Sequence, residues 1–66
     1  MYTKHALHQM ANRSITKEEV ARAIANGHPM INKNDSRKRT IIDNKQGLYV
    51  VTNDLMTIVI TTFRKN

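Results

Sequence analysis

The chain has 66 residues and no cysteine, with eleven Lys and Arg against five Asp and Glu for a formal net charge of +6. That length allows one domain, spanning residues 1–66, which buries only about 60% of the surface its unfolded form exposes and has no room for a deep enclosed active site. Without thiols it can form neither a disulfide framework nor a thiolate metal site. No apolar run reaches membrane-span length and MYTKH lacks the apolar segment of a signal peptide, so a soluble, cytoplasmic chain that does not engage a membrane is expected.

The basic residues cluster at Lys33 to Arg39 and at Arg64-Lys65 rather than spreading evenly. Such an excess favours a polyanionic partner, because phosphate contacts release counterions and the field steers association; solubility alone is the competing reading.

In chain order, Thr3 caps a first helix from about Lys4 to Asn12, with Leu7, Met10 and Ala11 as its apolar stripe. His5 and His8 lie three apart and share adjacent faces. Arg13-Ser14 breaks the pattern. Thr16 then caps a second helix, with Glu19 three residues on completing a capping box and Ile15 placed to staple onto Val20. Its buried side is Val20, Ala23 and Ile24. Gly27 is expected as a left-handed stop, with Pro29 preventing continuation.

Met30-Ile31-Asn32 reads as a short edge strand and KNDSRKR as a loop. A strand from Arg39 to Asp43 and a turn at Asn44 to Gly47 lead into Leu48 to Phe63, the most apolar stretch. There two runs rich in Val, Ile, Thr, Tyr and Phe flank Asn53-Asp54 and read as an antiparallel hairpin. The fold class is α+β, two N-terminal helices packed on one face of a three- to four-stranded antiparallel sheet.

A two-residue turn at Asn53-Asp54 pairs Val51 with Met56 and Tyr49 with Ile58, and the turn at 44 to 47 sets Ile42 opposite Tyr49. One face then carries Thr40, Ile42, Tyr49, Val51, Met56, Ile58, Ile60 and Thr62 and is expected under the helices. The other carries Arg39, Ile41, Asp43, Leu48, Val50, Thr52, Leu55, Thr57, Val59, Thr61 and Phe63 and is expected open. A one-residue bulge would exchange these assignments along part of a strand.

The stretch KHALHQMANRSITKEEVARAIANG, with Lys4-His5-Ala6, Met10, Arg13, Ile15, Val20, Ala23 and Gly27 in these relative places, resembles a widespread family of small bacterial domains. Those domains look like distant members of the barnase, EndoU, colicin-nuclease and RelE superfamily of toxin ribonucleases. YVVTNDLMTIVITTF suits the family's last strands, which end in an ITxY or ITT-like segment. The resemblance implies metal-independent cleavage of RNA by its own 2'-hydroxyl, without a cofactor. That chemistry needs a proton acceptor, a cation for the charged phosphorane and an acid for the leaving oxygen.

His5 matches the family's KHA position and is the candidate acid or base, its type suited by a pKa near neutrality. Arg39 is the candidate phosphate clamp, and Thr61, in the ITT-like segment, a hydrogen-bond donor to the phosphate; Thr62 takes that place if the register slips. Lys4, His8, Arg37, Lys38, Lys45, Arg64 and Lys65 are the candidates for holding RNA. Tyr49 reads as core, with a stacking role if the faces are exchanged. A His-x-x-His pair could ligate a metal, but no third ligand is evident, so no metal is expected. No glutamate is left over as a base, since Glu18 and Glu19 serve helix capping.

Two functions are therefore expected. The first is a small toxin-type endoribonuclease with an acidic antitoxin or immunity protein as antagonist. The alternative is a non-catalytic basic module of the same fold that binds RNA or an acidic protein. A helix-turn-helix contact to DNA is disfavoured, because the paired glutamates of the second helix would repel phosphates.

Overall fold

In the computed structural model, which describes residues 1–64, both helices start where a threonine hydroxyl can satisfy an otherwise unpaired amide. Thr3 accepts from the Ala6 amide at 3.0 Å and opens α1, Lys4–Asn12. The same hydroxyl donates to the Ile60 carbonyl at 2.9 Å, which ties the cap to the last strand. Thr16 opens α2, Lys17–Asn26, with the expected capping box to Glu19 in place. Between them, Ser14 takes a left-handed φ of 55°. The Ile15 amide then reaches back to the Met10 carbonyl, and the Ser14 amide to that of Ala11, closing α1 in a Schellman turn.

Four antiparallel strands follow in sequential order: β1, His28–Ile31; β2, Lys38–Asp43; β3, Leu48–Asn53; and β4, Val59–Arg64. Residues 1–3 run beside β4, where Tyr2 bridges Val59 in parallel. Pro29 lies in β1 rather than before it, a position that an edge strand tolerates. The β2–β3 register is the expected one, with Ile42 opposite Tyr49.

The β3–β4 register is not. The connection is longer than a two-residue turn, and Val51 pairs with Thr61 instead of Met56, Tyr49 with Phe63 instead of Ile58. The Asn53 carboxamide oxygen accepts from the amides of Thr57 and Ile58, both at 2.9 Å, and Met56 takes a φ of 57° between them. A bulge between Val51 and Thr52 completes the shift. The bulge makes the displacement odd, so the β4 side chains beyond it, from Thr61 on, change faces relative to the simple hairpin.

On β2 and β3 the covered face is also the opposite of the expected one, while at the end of β4 Thr61 and Phe63 lie on the open side and Thr62 on the covered side, as expected. Ala6, Met10, Ile15, Val20 and Ala23 from the helical half pack with Ile41, Leu48, Val50 and Val59 of the sheet. Ile42 and Tyr49 are only half-buried, Met56 is exposed, and Val51, although buried, stands outside this core. The sheet side chains of this core are pure hydrocarbon, with Thr52 and Thr62 buried beside them, whereas the uncovered face keeps the hydroxyls of Thr40, Tyr49 and Thr61, which can stay hydrated. The α1 stripe is rotated to match: Ala6 and Met10 are buried, while Leu7 and Ala11 are exposed.

Gly27 ends α2 for a different reason from the one expected. Its φ of −79° and ψ of 178° are extended, not left-handed. A β-carbon there would lie 2.5 Å from the Ala23 carbonyl oxygen and 2.7 Å from Ile41 Cγ2, so glycine lets the helix end press against β2.

A polar junction joins the far ends of these elements. Glu19 accepts from the Thr16 amide and from Arg64 Nη2, and Arg64 Nη1 donates to the Gln46 carbonyl at 3.1 Å. Gln46 Nε2 donates to the Glu19 carbonyl at 3.0 Å and to Asp43 at 2.8 Å. The Thr16 amide and then Arg64 hold the Glu19 carboxyl below its ordinary value; the Gln46 side chain does the same for Asp43.

Two outcomes follow for stability. Gly27→Ala should lower the melting temperature, at a cost of about 1–3 kcal/mol from overpacking against rigid backbone; an unchanged melting curve would contradict the close approach. The stabilisation from Glu19 and Asp43 is fully present above their ordinary pKa values of 4.5 and 3.8 and is lost as pH falls through the lowered folded values. Acid titration followed by circular dichroism should therefore show stability falling below about pH 4, and Glu19→Gln with Asp43→Asn should flatten that dependence.

Candidate nucleic-acid interface

The uncovered face of the sheet is built in rows that cross the strands. His28, Ile42, Tyr49 and Phe63 are successive cross-strand partners and form one row. Met30, Thr40, Val51 and Thr61 form the next. The rings of Tyr49 and Phe63 stack with centroids 5.0 Å apart and planes inclined by 24°. A shallow groove of about 360 Å³ runs over Met30, Thr40, Ile42, Tyr49 and Phe63. Met30 and Ile31 add exposed apolar surface at the β1 edge, 52% and 64% accessible.

The β1–β2 connection borders this groove and carries the basic cluster. It is a hydrogen-bonded loop. Asn32 Oδ1 accepts from the Asn34 and Asp35 amides at 2.9 and 3.2 Å, and its Nδ2 donates to Thr40 Oγ1 at 3.1 Å. Asp35 accepts from the Arg37 amide at 2.9 Å and pairs with the Arg37 guanidinium. That side-chain bond is the main reason its carboxyl stays below the ordinary range and the Arg37 pKa lies above its own. Polar groups inside the loop thus satisfy its backbone, while Lys33 stands exposed and Arg37 keeps a side chain 88% accessible.

The candidate catalytic side chains are not brought together. Thr61 belongs to the open face through its pairing with Val51. Arg39 has the opposite parity, opposite the buried Thr52, and its Nη1 turns back to the carbonyls of Ser36 and Lys38 at 2.9 and 3.1 Å. Its side chain fastens the basic loop to the sheet. His5 is exposed in the first turn of α1, which packs along β4 on the covered side. The register therefore sets Arg39 and Thr61 on opposite faces of the sheet, and two strand spacings, about 10 Å, separate β4 from β2.

Lys4 and His8 are exposed on α1, and Lys45 is exposed in the β2–β3 turn. Arg64 is spent on Glu19 and Gln46. Lys38 is half-buried at the start of β2. Lys65 lies outside the described residues. Among the described residues no three His, Cys, Asp or Glu side chains converge as a metal site, and no helix is long and apolar enough to cross a membrane.

Phe63 is the residue that sequence reasoning passed over. Its role depends on standing opposite Tyr49, and that depends on a β3–β4 register which the turn composition misrepresents.

A protein-family model described as a domain of unknown function, DUF4258, matches residues 2–64. Neither the curated proteins nor the solved structures contain a match to the chain.

The role of Asn32 in ordering the loop can be tested directly. Asn32→Ala removes both the Thr40 hydrogen bond and the acceptor for two amides, and should cost about 1–2 kcal/mol. Amide exchange at Asn34 and Asp35 should accelerate while the core strands stay protected. Unchanged exchange at these two amides would mean that Asn32 does not order the loop.

Proposed function

The chain belongs to the DUF4258 family, and from that premise we propose that it is a non-catalytic module that binds single-stranded RNA on the uncovered face of its sheet. The observation that carries this reading is the stacked Tyr49–Phe63 pair, lying on an open face beside an ordered basic loop in a chain of net charge +6. Aromatic side chains on an open sheet offer π-faces to unstacked bases, and neighbouring cations hold the phosphates. Tyr49 presents a half-buried ring with a hydroxyl, Phe63 an exposed one. Lys33 and Arg37 supply charge on one side of the groove and need not touch a base.

The same fold supports the endoribonuclease reading less well. A transesterification site needs its acid, base and phosphate clamp around one scissile bond, and Arg39 and Thr61 do not share a face. The kinship to toxin ribonucleases suggested by the KHA and ITT-like segments remains part of the proposal through the RNA ligand alone.

The experiment is a binding titration of a fluorescent oligouridylate in EDTA at several salt concentrations. Tyr49→Leu and Phe63→Leu retain apolar bulk and should each weaken binding by about 1–3 kcal/mol for a missing base stack, roughly 5- to 150-fold. Replacing Lys33 and Arg37 together should flatten the salt dependence by about 0.7 for each phosphate that is no longer neutralised. Wild-type affinity in both aromatic variants would remove the stacking face from consideration, and discrete RNA fragments in EDTA would return the protein to the enzymes.

A further inference from the structure

A second groove lies at the other end of the aromatic row. It has a volume of about 710 Å³ and sits where the second half of α2, the start of β1 and the β2–β3 turn meet. Arg22, His28 and Lys45 line it, with Asn26 and Asn44 between them. We infer that this groove holds a backbone phosphate of the RNA strand whose bases occupy the Tyr49–Phe63 face, an inference that rests on the RNA-binding reading above.

Continuity between the two surfaces supports this. Ile42 lines both grooves, and His28, Ile42, Tyr49 and Phe63 stand side by side across the four strands. From Tyr49 to His28 is two strand spacings, about 10 Å, so a strand crossing the sheet passes from the aromatic pair into the cationic groove. Such a strand would run across the β-strands toward β1.

The charge balance also favours an anion. Among the described residues, Arg22, His28 and Lys45 form no ion pair. Glu18, one turn before Arg22 on α2, is not bridged to it. Two features oppose an anion: the Asp43 carboxylate and the C-terminal carbonyls of α2, whose dipole is equivalent to about half a negative charge. Asp43, however, is already occupied by the Lys45 and Gln46 amides and by Gln46 Nε2. Two full positive charges and an imidazole donor outweigh what remains. Arg22 supplies a fork suited to two phosphate oxygens, and Lys45 a mobile point charge.

The test uses the full-length protein and two probes. Inorganic phosphate, titrated at constant ionic strength while amide and side-chain NMR signals are recorded, should shift Arg22, His28 and Lys45 saturably. These shifts should persist in Tyr49→Leu. The double variant Arg22→Gln/Lys45→Gln should lose them, bind oligouridylate about ten-fold more weakly, and show a salt slope shallower by about 0.7. Equal shifts at Lys33 and Arg37, or the same response to chloride, would overturn the groove as a phosphate site. If the double variant keeps wild-type RNA affinity while the aromatic variants lose it, the groove inference fails and the stacking face stands. If the wild-type protein binds no oligouridylate, both fail together.

Discussion

One side chain, Asn53, together with the bulge beside it, holds the register on which the uncovered face depends. Its carboxamide oxygen accepts two amides, its Nδ2 donates to Thr57 Oγ1, and its own amide donates to the Ile58 carbonyl. This closes a connection longer than a hairpin turn and sets Thr52 opposite Val59, and the bulge between Val51 and Thr52 then moves the pairing on by one residue. Tyr49 therefore meets Phe63, and Arg64 stands opposite Leu48 where it can reach the capping box of α2. A two-residue turn would have left Tyr49 opposite Ile58, with no aromatic pair. Aromatic stacking and the polar junction around Glu19 are thus both consequences of the Asn-centred loop together with the bulge that follows it.

The cations divide into two groups by what they touch. Arg39 and Arg64 stand in or beside the basic clusters, yet both spend their guanidinium groups on protein: Arg39 on two loop carbonyls, Arg64 on Glu19 and the Gln46 carbonyl. Lys33, Lys45 and Arg22 project outward instead, and Arg37, though paired with Asp35, keeps a largely accessible side chain. Sequence clustering alone does not separate these groups, because a guanidinium is equally suited to main-chain carbonyls, carboxylates and phosphates. The proposed interface rests on the second group, and the first holds the loop and strand ends that present it.

Two helices of nine and ten residues can cover only one face of a four-stranded sheet. The other face has to remain in water or meet a partner. It is furnished for both, with threonine and tyrosine hydroxyls beside apolar surface at Met30, Ile42 and Phe63. That mixed character lets the sheet stay hydrated when free and, in the proposed role, would offer flat rings to a base.

Local signals decided much of this fold without tertiary help. The Thr3 and Thr16 caps, the capping box and the β2–β3 register all follow from side chains hydrogen-bonding within a few residues or from a short turn of fixed length. The excess of cations and the α+β class are likewise plain in the sequence. Which sheet face the helices cover was not, since Ile41, Leu48 and Val50 on one side and Ile42, Tyr49 and Val51 on the other alternate with equal apolar weight. The β3–β4 partners were not either, because Asn53-Asp54 suits a tight turn by composition while Asn53 in fact caps a longer loop. Gly27, too, needed the structure: its requirement comes from Ile41 and the Ile42 carbonyl across the chain, not from its own torsions. Hydrogen bonds and caps act over a few residues and are written in the sequence, whereas the choice of buried face and the gathering of Tyr49 with Phe63 depend on contacts between distant segments, which only packing can decide.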